Sequence, residues 1–509
     1  MVKKRYDIGK FVSSIVGRKE NIDDNGKEIE KIDDKNDEEL KTEKTDDGSD
    51  RRGDTLYLYF TVITVLLLIM VGSCAMTWTS PALIHLKTNN TDANPLGRPI
   101  KTIEISMLLG IPMMAGLLGS SLLPALSDIL GRRRILYACG LCFLASTVGT
   151  AFSTKIYQLV LFQSVTFCVQ GATYALIPMY LAEICEDHNR AKFGCIMTLF
   201  LPLGQMLTYI DGSLLNIKYF TLVNSLPLLP FLAFFLLAPE SPVYSMAKGR
   251  REQCLRSLRR LRGNKTEAEI LKDLERISQS LEAQEDRQRE SKLLTILCTK
   301  EGRLGLAFAM LPMLFQYLSG APIIVVLLAP IFEETKTLSG NTIAIIVGCV
   351  KVSCFFFIST IVERTGRKPL LVISCVGASM SLLLLAVYFY LLSIDSPAIQ
   401  QLKFLPLLAV VLFIILFSVG LGSLPLSIIS ELFPSNLRPI AVSIVTTTTA
   451  AISALYSFSY PLLAESIGTH WCFFMFSCCS LTGAFLIYFV LPETKGKSVM
   501  EIQRILKEY

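Results

Sequence analysis

Histidine is nearly absent from this 509-residue chain: His85, His188 and His470 are the three it has, and they lie in different loops. Metal centres and histidine-assisted nucleophiles need such side chains gathered in one place. No metal, cofactor or catalytic centre is therefore expected, and an enzyme is the least supported class. Charge is scarce as well. Asp, Glu, Lys and Arg make up 18% of the residues against 51% hydrophobic, too little charge for a soluble protein of this length. The fourteen cysteines follow no regular spacing and sit mostly inside apolar runs, which reads as small apolar filling and not as a disulfide or metal framework. The first 50 residues contain no apolar core of the kind a cleavable signal peptide has. The net charge of +6 gives no support to a nucleic-acid partner beyond its sign.

What the chain has instead is a series of apolar runs of about 20 residues, the length that crosses a hydrocarbon core of roughly 30 Å. Twelve are expected to span the bilayer, near 56–77, 103–126, 134–153, 157–181, 192–212, 219–238, 303–330, 341–361, 369–392, 403–430, 440–463 and 471–491. A backbone in lipid must satisfy its own hydrogen bonds, and the runs lack the alternation of barrel strands, so an all-α membrane protein is predicted. Basic residues concentrate after spans 2 and 8, in "GRRR" (131–134) and "ERTGRK" (363–368), which places both termini in the cytoplasm. Residues 1–53 are mixed in charge and poor in aromatics, the composition of a disordered cytoplasmic tail. The expected layout continues with a six-helix bundle at 54–239, a cytoplasmic helical linker at 240–302, a second bundle at 303–491 and a cytoplasmic tail at 492–509.

The few charges repeat in order. Asp128 precedes "GRRR" and Glu363 precedes "GRK"; Glu183 closes span 4 seven residues before Arg190, and Glu431 closes span 10 seven before Arg438. "PESP" (239–242) follows span 6 and "PETKG" (492–496) follows span 12. Spacings of 235 to 253 residues between partners mark a duplicated six-helix unit, the build of secondary transporters with a solute site between the halves. Carboxylates at helix ends facing arginines of a neighbouring loop form charge-assisted pairs. Glu183, Arg190 and Glu240 are expected to meet Arg132 and Arg133, and Glu431, Arg438 and Glu493 to meet Arg367, as a latch on the cytoplasmic side. In the linker, Leu255, Leu258 and Leu261, then Ile270, Leu274, Ile277 and Leu281, recur at helical spacing and predict short amphipathic helices on the membrane face. Its Arg256, Arg259, Arg260 and Arg262 read as a solvated basic face, with a lipid-binding patch as the alternative.

"SDILGRRR", "PESP", "ERTGRK", "ELFPSNLR" and "PETKG", running in order from 127 to 496, resemble the motifs of the sugar porter family within the major facilitator superfamily. "TWTSPAL" (77–83) is similar to its insect facilitated trehalose transporter branch. The resemblance implies a twelve-helix alternating-access carrier in the plasma membrane, with a carbohydrate as its small-molecule partner and the lipid bilayer around it. Asn89 in "NNTD" fits a glycosylation sequon in the outer loop, while the sequon at Asn264 falls on the cytoplasmic side.

A sugar site needs amides and hydroxyls with an aromatic face, and here the chain departs from the family. In "FQYLSGAP", Gln316, Leu318, Ser319 and Gly320 match the span 7 pattern, but Tyr317 stands for its second glutamine and Pro322 for its asparagine. The tyrosine pair that follows is Val326 and Leu327; the span 5 glutamine falls on Thr198, the span 10 tryptophan on Leu426, and the span 11 Asn-Trp pair on Thr449 and Ala450. Gln163 and Val243 replace arginines usual to the family. Lys351 takes the place of a span 8 asparagine. With ten residues on either side it lies about 15 Å from each surface, too deep for its stem to reach water. Exposing it to lipid would cost roughly 2.5–3.5 kcal/mol, so it is expected to face the central cavity or a partner. Three readings are open: contact with an anionic or hydroxyl group of the solute, an internal pair with Glu104, or a tolerated cation in a wet cavity. Span 1 has no acidic residue between Thr55 and Lys87, which favours facilitated over proton-coupled transport. The expectation is thus a sugar uniporter for trehalose or hexose. A carrier of a non-sugar or anionic solute, and a transport-inactive sensor, stand as alternatives.

Overall fold

The first described helix begins where the sequence offers a cap: the Thr55 hydroxyl accepts from the Leu58 N–H at 3.1 Å and donates to the Leu261 carbonyl at 2.9 Å. The structure, a computed structural model, describes residues 55–90, 94–287, 298–333, 339–434 and 437–495, together with 296, 497, 501, 502 and 504. Side chains at 187, 191, 283–287, 356–364, 430 and 439 fall outside that set. The proposed tail, the Glu363 carboxylate and Thr91 of the first sequon therefore lie outside the described residues.

The first half runs through α1 (Leu56–Thr77), α2 (Thr79–Leu86), α3 (Thr102–Leu130), α4 (Arg132–Ala151), α5 (Ile156–Ile184), α6 (Asp187–Leu214), α7 (Ile217–Ser225) and α8 (Leu228–Phe234). Among the described residues, three helices follow in the connection, α9 (Pro242–Ala247), α10 (Arg251–Leu261) and α11 (Glu267–Arg287). The second half holds α12 (Lys300–Leu318), α13 (Ala321–Val326), α14 (Leu328–Glu333), α15 (Gly340–Arg364), α16 (Arg367–Ser393), α17 (Leu405–Val419), α18 (Pro425–Leu432), α19 (Arg438–Ile467) and α20 (Thr469–Val490). Among the described residues ten helical stretches are long and apolar enough to cross a membrane, and two shorter apolar ones, Gly340–Phe355 and Leu405–Val419, stand at the positions of spans 8 and 10.

Three of the expected spans are not continuous helices; span 6 is interrupted at 226–227, between α7 and α8. Span 7 breaks after Leu318, where Gly320 adopts φ +75°, a region open to glycine at no steric cost, and α13 restarts with Pro322 in its first turn. Span 10 stops at Val419 and restarts at Pro425, whose ring suits a helix start. Pairs of helices approach closely where side chains are small. A Cβ on Gly116 would sit 3.1 Å from the Phe167 carbonyl, so α3 and α5 pack almost backbone to backbone.

Apolar packing differs between the two ends of the molecule. At the end away from the "GRRR" loop, one cluster runs across both halves, with Trp78, Leu83, Leu108 and Phe220 from the first and Ile324, Phe332, Phe413 and Phe473 from the second. At the other, basic end each half has a cluster of its own among the described residues, and the linker helices add a small third one around Leu258 and Leu274. The first half's cluster is built from first-half and linker residues such as Leu58, Phe143, Tyr180, Phe235 and Leu261. The second half's is built from second-half residues such as Phe308, Leu371, Ile428 and Ile487, together with Ile502. The halves thus share a core at one end and keep separate cores at the other.

Candidate functional site

At the basic end the repeated motifs build the same device twice. Gly131 and Gly366 stand just before the arginine that opens α4 and α16. Arg132 Nε lies 3.2 Å from the Glu183 carboxylate and Arg367 Nε 3.1 Å from Glu431. Arg132 also reaches Asp128 at 2.8 Å and the Ser127 carbonyl at 3.2 Å, with its guanidinium over the Tyr244 ring. Glu240 accepts from the Arg133 N–H at 3.0 Å, and Glu493 from the Arg367 and Lys368 N–H groups at 2.9 and 3.1 Å. Each carboxylate thus sits on the positive end of a helix. Burial pushes the Glu493 carboxyl up, but backbone donors from Lys495, Arg367, Lys368 and Thr494 outweigh it and hold it below the usual glutamate range.

Other members of the expected latch are placed differently. The Arg133 guanidinium donates to the Leu236 carbonyl, and that of Arg190 to Ala182 O at 3.2 Å. Arg438 Nε is buried without a hydrogen bond among the described residues. The Thr494 hydroxyl donates to Glu431. The pairs Arg132–Glu183 and Arg367–Glu431 each fasten helices of one half, so in this conformation they are ties within a bundle and not bonds from one bundle to the other.

The linker is tied to the first half by ion pairs of its own. Arg262 and Lys265 meet Glu186 at 3.1 and 2.7 Å, and Lys265 meets Asp273 at 3.1 Å. Burial opposes the charged Lys265 amine, but these two carboxylates prevail and raise it above the usual lysine range.

In the middle of the molecule Lys351 on α15 donates to Gln205 Oε1 on α6 at 2.7 Å, a bond between the halves. The two helices touch here: a Cβ on Gly348, one turn away, would lie 3.4 Å from Met206. One turn further along α6, the Tyr209 hydroxyl donates to the Val325 carbonyl at 2.7 Å, and the Ser80 hydroxyl accepts from the Ala329 N–H at 2.9 Å. The pair with Glu104 is overturned, because Arg98, six residues from Glu104, holds that carboxylate at 2.5 Å.

Gln205 was not singled out by the sequence motifs, which pointed instead to Thr198 two turns away. Its signal was plain in hindsight: an amide in an apolar run, adjacent to Gly204. Gln316 and Tyr317 are half-buried on α12, Thr198 is exposed and donates to Cys195 O at 2.8 Å, and Leu426 is exposed. Pro322 is buried in the first turn of α13. Thr449 is fully buried and its hydroxyl donates to Val445 O at 2.7 Å within α19.

A two-half, multi-pass helical membrane carrier fold is what these features define. The sugar (and other) transporter family matches residues 32–506, and the chain belongs to it. The facilitated trehalose transporter Tret1 of Polypedilum vanderplanki is 29% identical over 454 residues, covering 88% of this chain and 88% of that protein. Tret1 of Drosophila erecta is 29% identical over 451 residues, 87% of this chain, which spans about half (52%) of that relative. Among solved structures, the xylose transporter XylE from E. coli in its inward-open conformation superposes with a TM-score of 0.72 at 20% identity, covering 88% of this chain and 99% of that one. Its partially occluded inward-open form gives 0.70, with 87% and 100% covered.

Proposed function

We propose that this protein is a facilitative plasma-membrane carrier that moves a sugar of trehalose or hexose size between its two halves by alternating access. Both termini and the basic end face the cytoplasm in this reading, and Asn89, exposed at the opposite end, carries a glycan. The observation that supports it most is the unequal packing of the two ends: one apolar cluster shared by the halves at one, a separate cluster for each half at the other. Such a body is sealed on one side and parted on the other, and rocking the halves exchanges the two. Asp128, Arg132, Arg133, Glu183, Arg190, Glu240, Arg367, Glu431, Arg438 and Glu493, with Glu363, then stand at the rims that meet when the basic end closes. Gln316, Tyr317 and Lys351 are the solute-facing groups, joined by Gln205.

Uptake of labelled trehalose and glucose into proteoliposomes tests this reading. Saturable uptake down the gradient, without a proton gradient, is expected, and no saturable uptake of any solute overturns it.

A second reading, an anionic solute, is supported by Lys351 itself. Its described partner is a neutral amide, which leaves the charge and two of its three donors unspent. Including organic anions in the panel, with Lys351→Asn alongside the native chain, decides between the two. An anion preference that Lys351→Asn abolishes favours the second reading, and sugar uptake unchanged by the substitution removes Lys351 from recognition.

A further inference from the structure

A cavity of about 400 Å³ opens at the basic end, lined entirely by the first half and the connection that follows it. It is separate from the surface between the halves. Three arginines surround it: Arg133 and Arg134 from the first turn of α4, and Arg250 just before α10. Arg134 and Arg250 have no carboxylate within ion-pair distance among the described residues. The one acidic side chain in the lining, Glu240, is already engaged by the Arg133 and Ser241 N–H groups at 3.0 and 3.1 Å. Net positive charge is therefore left facing the space.

The basic cluster that the sequence offered as a lipid patch is arranged in the opposite way. Arg256 pairs with Glu252 at 3.1 Å, Arg259 pairs with Glu267, and Arg262 meets Glu186 at 3.1 Å and Asp273 at 2.5 Å. Three of that cluster's four arginines are paired within the chain, Arg260 being the exception among the described residues, whereas Arg134 and Arg250 at the cavity are both unpaired there.

The cavity wall also continues into apolar surface. Leu130 and Leu236 line it and are 43% and 51% exposed. Along α4, Arg134, Tyr137 and Leu141 follow one another at helical spacing, and Leu141 is 48% exposed. These helices are membrane spans, so such outward leucines face acyl chains. A guanidinium cluster at the mouth of an apolar groove, at the level where span meets loop, matches a phosphate head with chains attached. Planar guanidinium forks bind phosphate oxygens in pairs. A free phosphate ion would leave most of the volume and all of the groove unfilled.

We propose that this cavity binds the phosphate head group of an anionic membrane phospholipid, with its chains laid along Tyr137, Leu141 and Leu236. The test uses the full-length chain in nanodiscs of phosphatidylcholine with phosphatidylserine or phosphatidylinositol 4,5-bisphosphate, released and weighed by native mass spectrometry. The native protein retains the anionic lipid in preference to phosphatidylcholine. The double variant Arg134→Gln with Arg250→Gln retains it about 30-fold more weakly, since each arginine near the surface counts for about a factor of five. Arg256→Gln with Arg260→Gln, outside the cavity, retains it as the native chain does. Both pairs are exposed, and unchanged thermal unfolding confirms that each variant is folded. Equal retention by the cavity variant, equal binding of phosphatidylcholine, or displacement of the lipid by millimolar inorganic phosphate each overturns the proposal.

Discussion

At the basic end Arg132 meets Glu183 inside the first half and Arg367 meets Glu431 inside the second, while at the opposite end Tyr209 and Ser80 reach from one half to the backbone of the other. The first kind of contact is ionic and repeated in both halves; the second is a small set of hydrogen bonds within a shared apolar cluster. Ionic ties with fixed geometry hold the helix ends of a bundle in place. Apolar contact is non-directional, so a surface sealed mainly by it is remade readily when the halves tilt. The difference separates what keeps each half rigid from what decides which side is closed.

Breaking the ionic side has the largest expected effect. Arg132 and Glu183 are 9% and 11% exposed, so Arg132→Ala strands a buried carboxylate and is expected to cost about 3–5 kcal/mol, read as a lower melting temperature in detergent. Arg367 and Glu431 are 21% and 25% exposed, and Arg367→Ala is expected to cost less because solvent screens the abandoned charge. Equal losses at the two sites would break the proposed link between burial and rigidity.

At the other end Tyr209→Phe removes the bond to the Val325 carbonyl, about 1–3 kcal/mol if that oxygen finds no other donor. Its effect is expected on the balance between conformations and not on unfolding. Spin labels at the basic ends of α6 and α19 should draw closer as the population shifts towards closure there, with the melting temperature nearly unchanged. A lower melting temperature with no change in distance would make Tyr209 a bundle tie like Arg132.

The smallest effect is the pH dependence of Glu493. Its carboxyl is held below the usual glutamate range in the folded chain, so the stability it adds is fully present above the unfolded value and is lost as pH falls through the depressed one. Glu493→Gln should therefore melt below the native chain at neutral pH, with the gap closing in acid. A gap that widens in acid would reverse the sign of the assignment.

The ionic side of this comparison was legible in the sequence because charges are rare in an apolar chain and their order repeats, from Asp128 and Arg132 to Arg367 and Glu493. The apolar side was not. Residues that seal the halves and residues that face lipid are chemically alike, so nothing in the composition of Trp78, Ile324 or Phe473 tells which end is closed. The depth of Lys351 predicted that it faces the central cavity or a partner, but not which partner. Gln205 lies 146 positions away, and Glu104, the acid in reach of the imagination, is taken by its neighbour Arg98. The break in span 7 was written in Gly320 and Pro322, although the apolar run hid it as one span.

The most direct measurement of whether the halves rock about this seal is a cross-link between Ser80→Cys and Ala329→Cys, whose native groups are within 2.9 Å across the halves. Oxidation should stop solute uptake into proteoliposomes and reduction restore it, while either single variant under the same oxidant keeps transporting. Undiminished uptake with the cross-link formed, as confirmed by mass spectrometry of the joined peptides, would contradict the account.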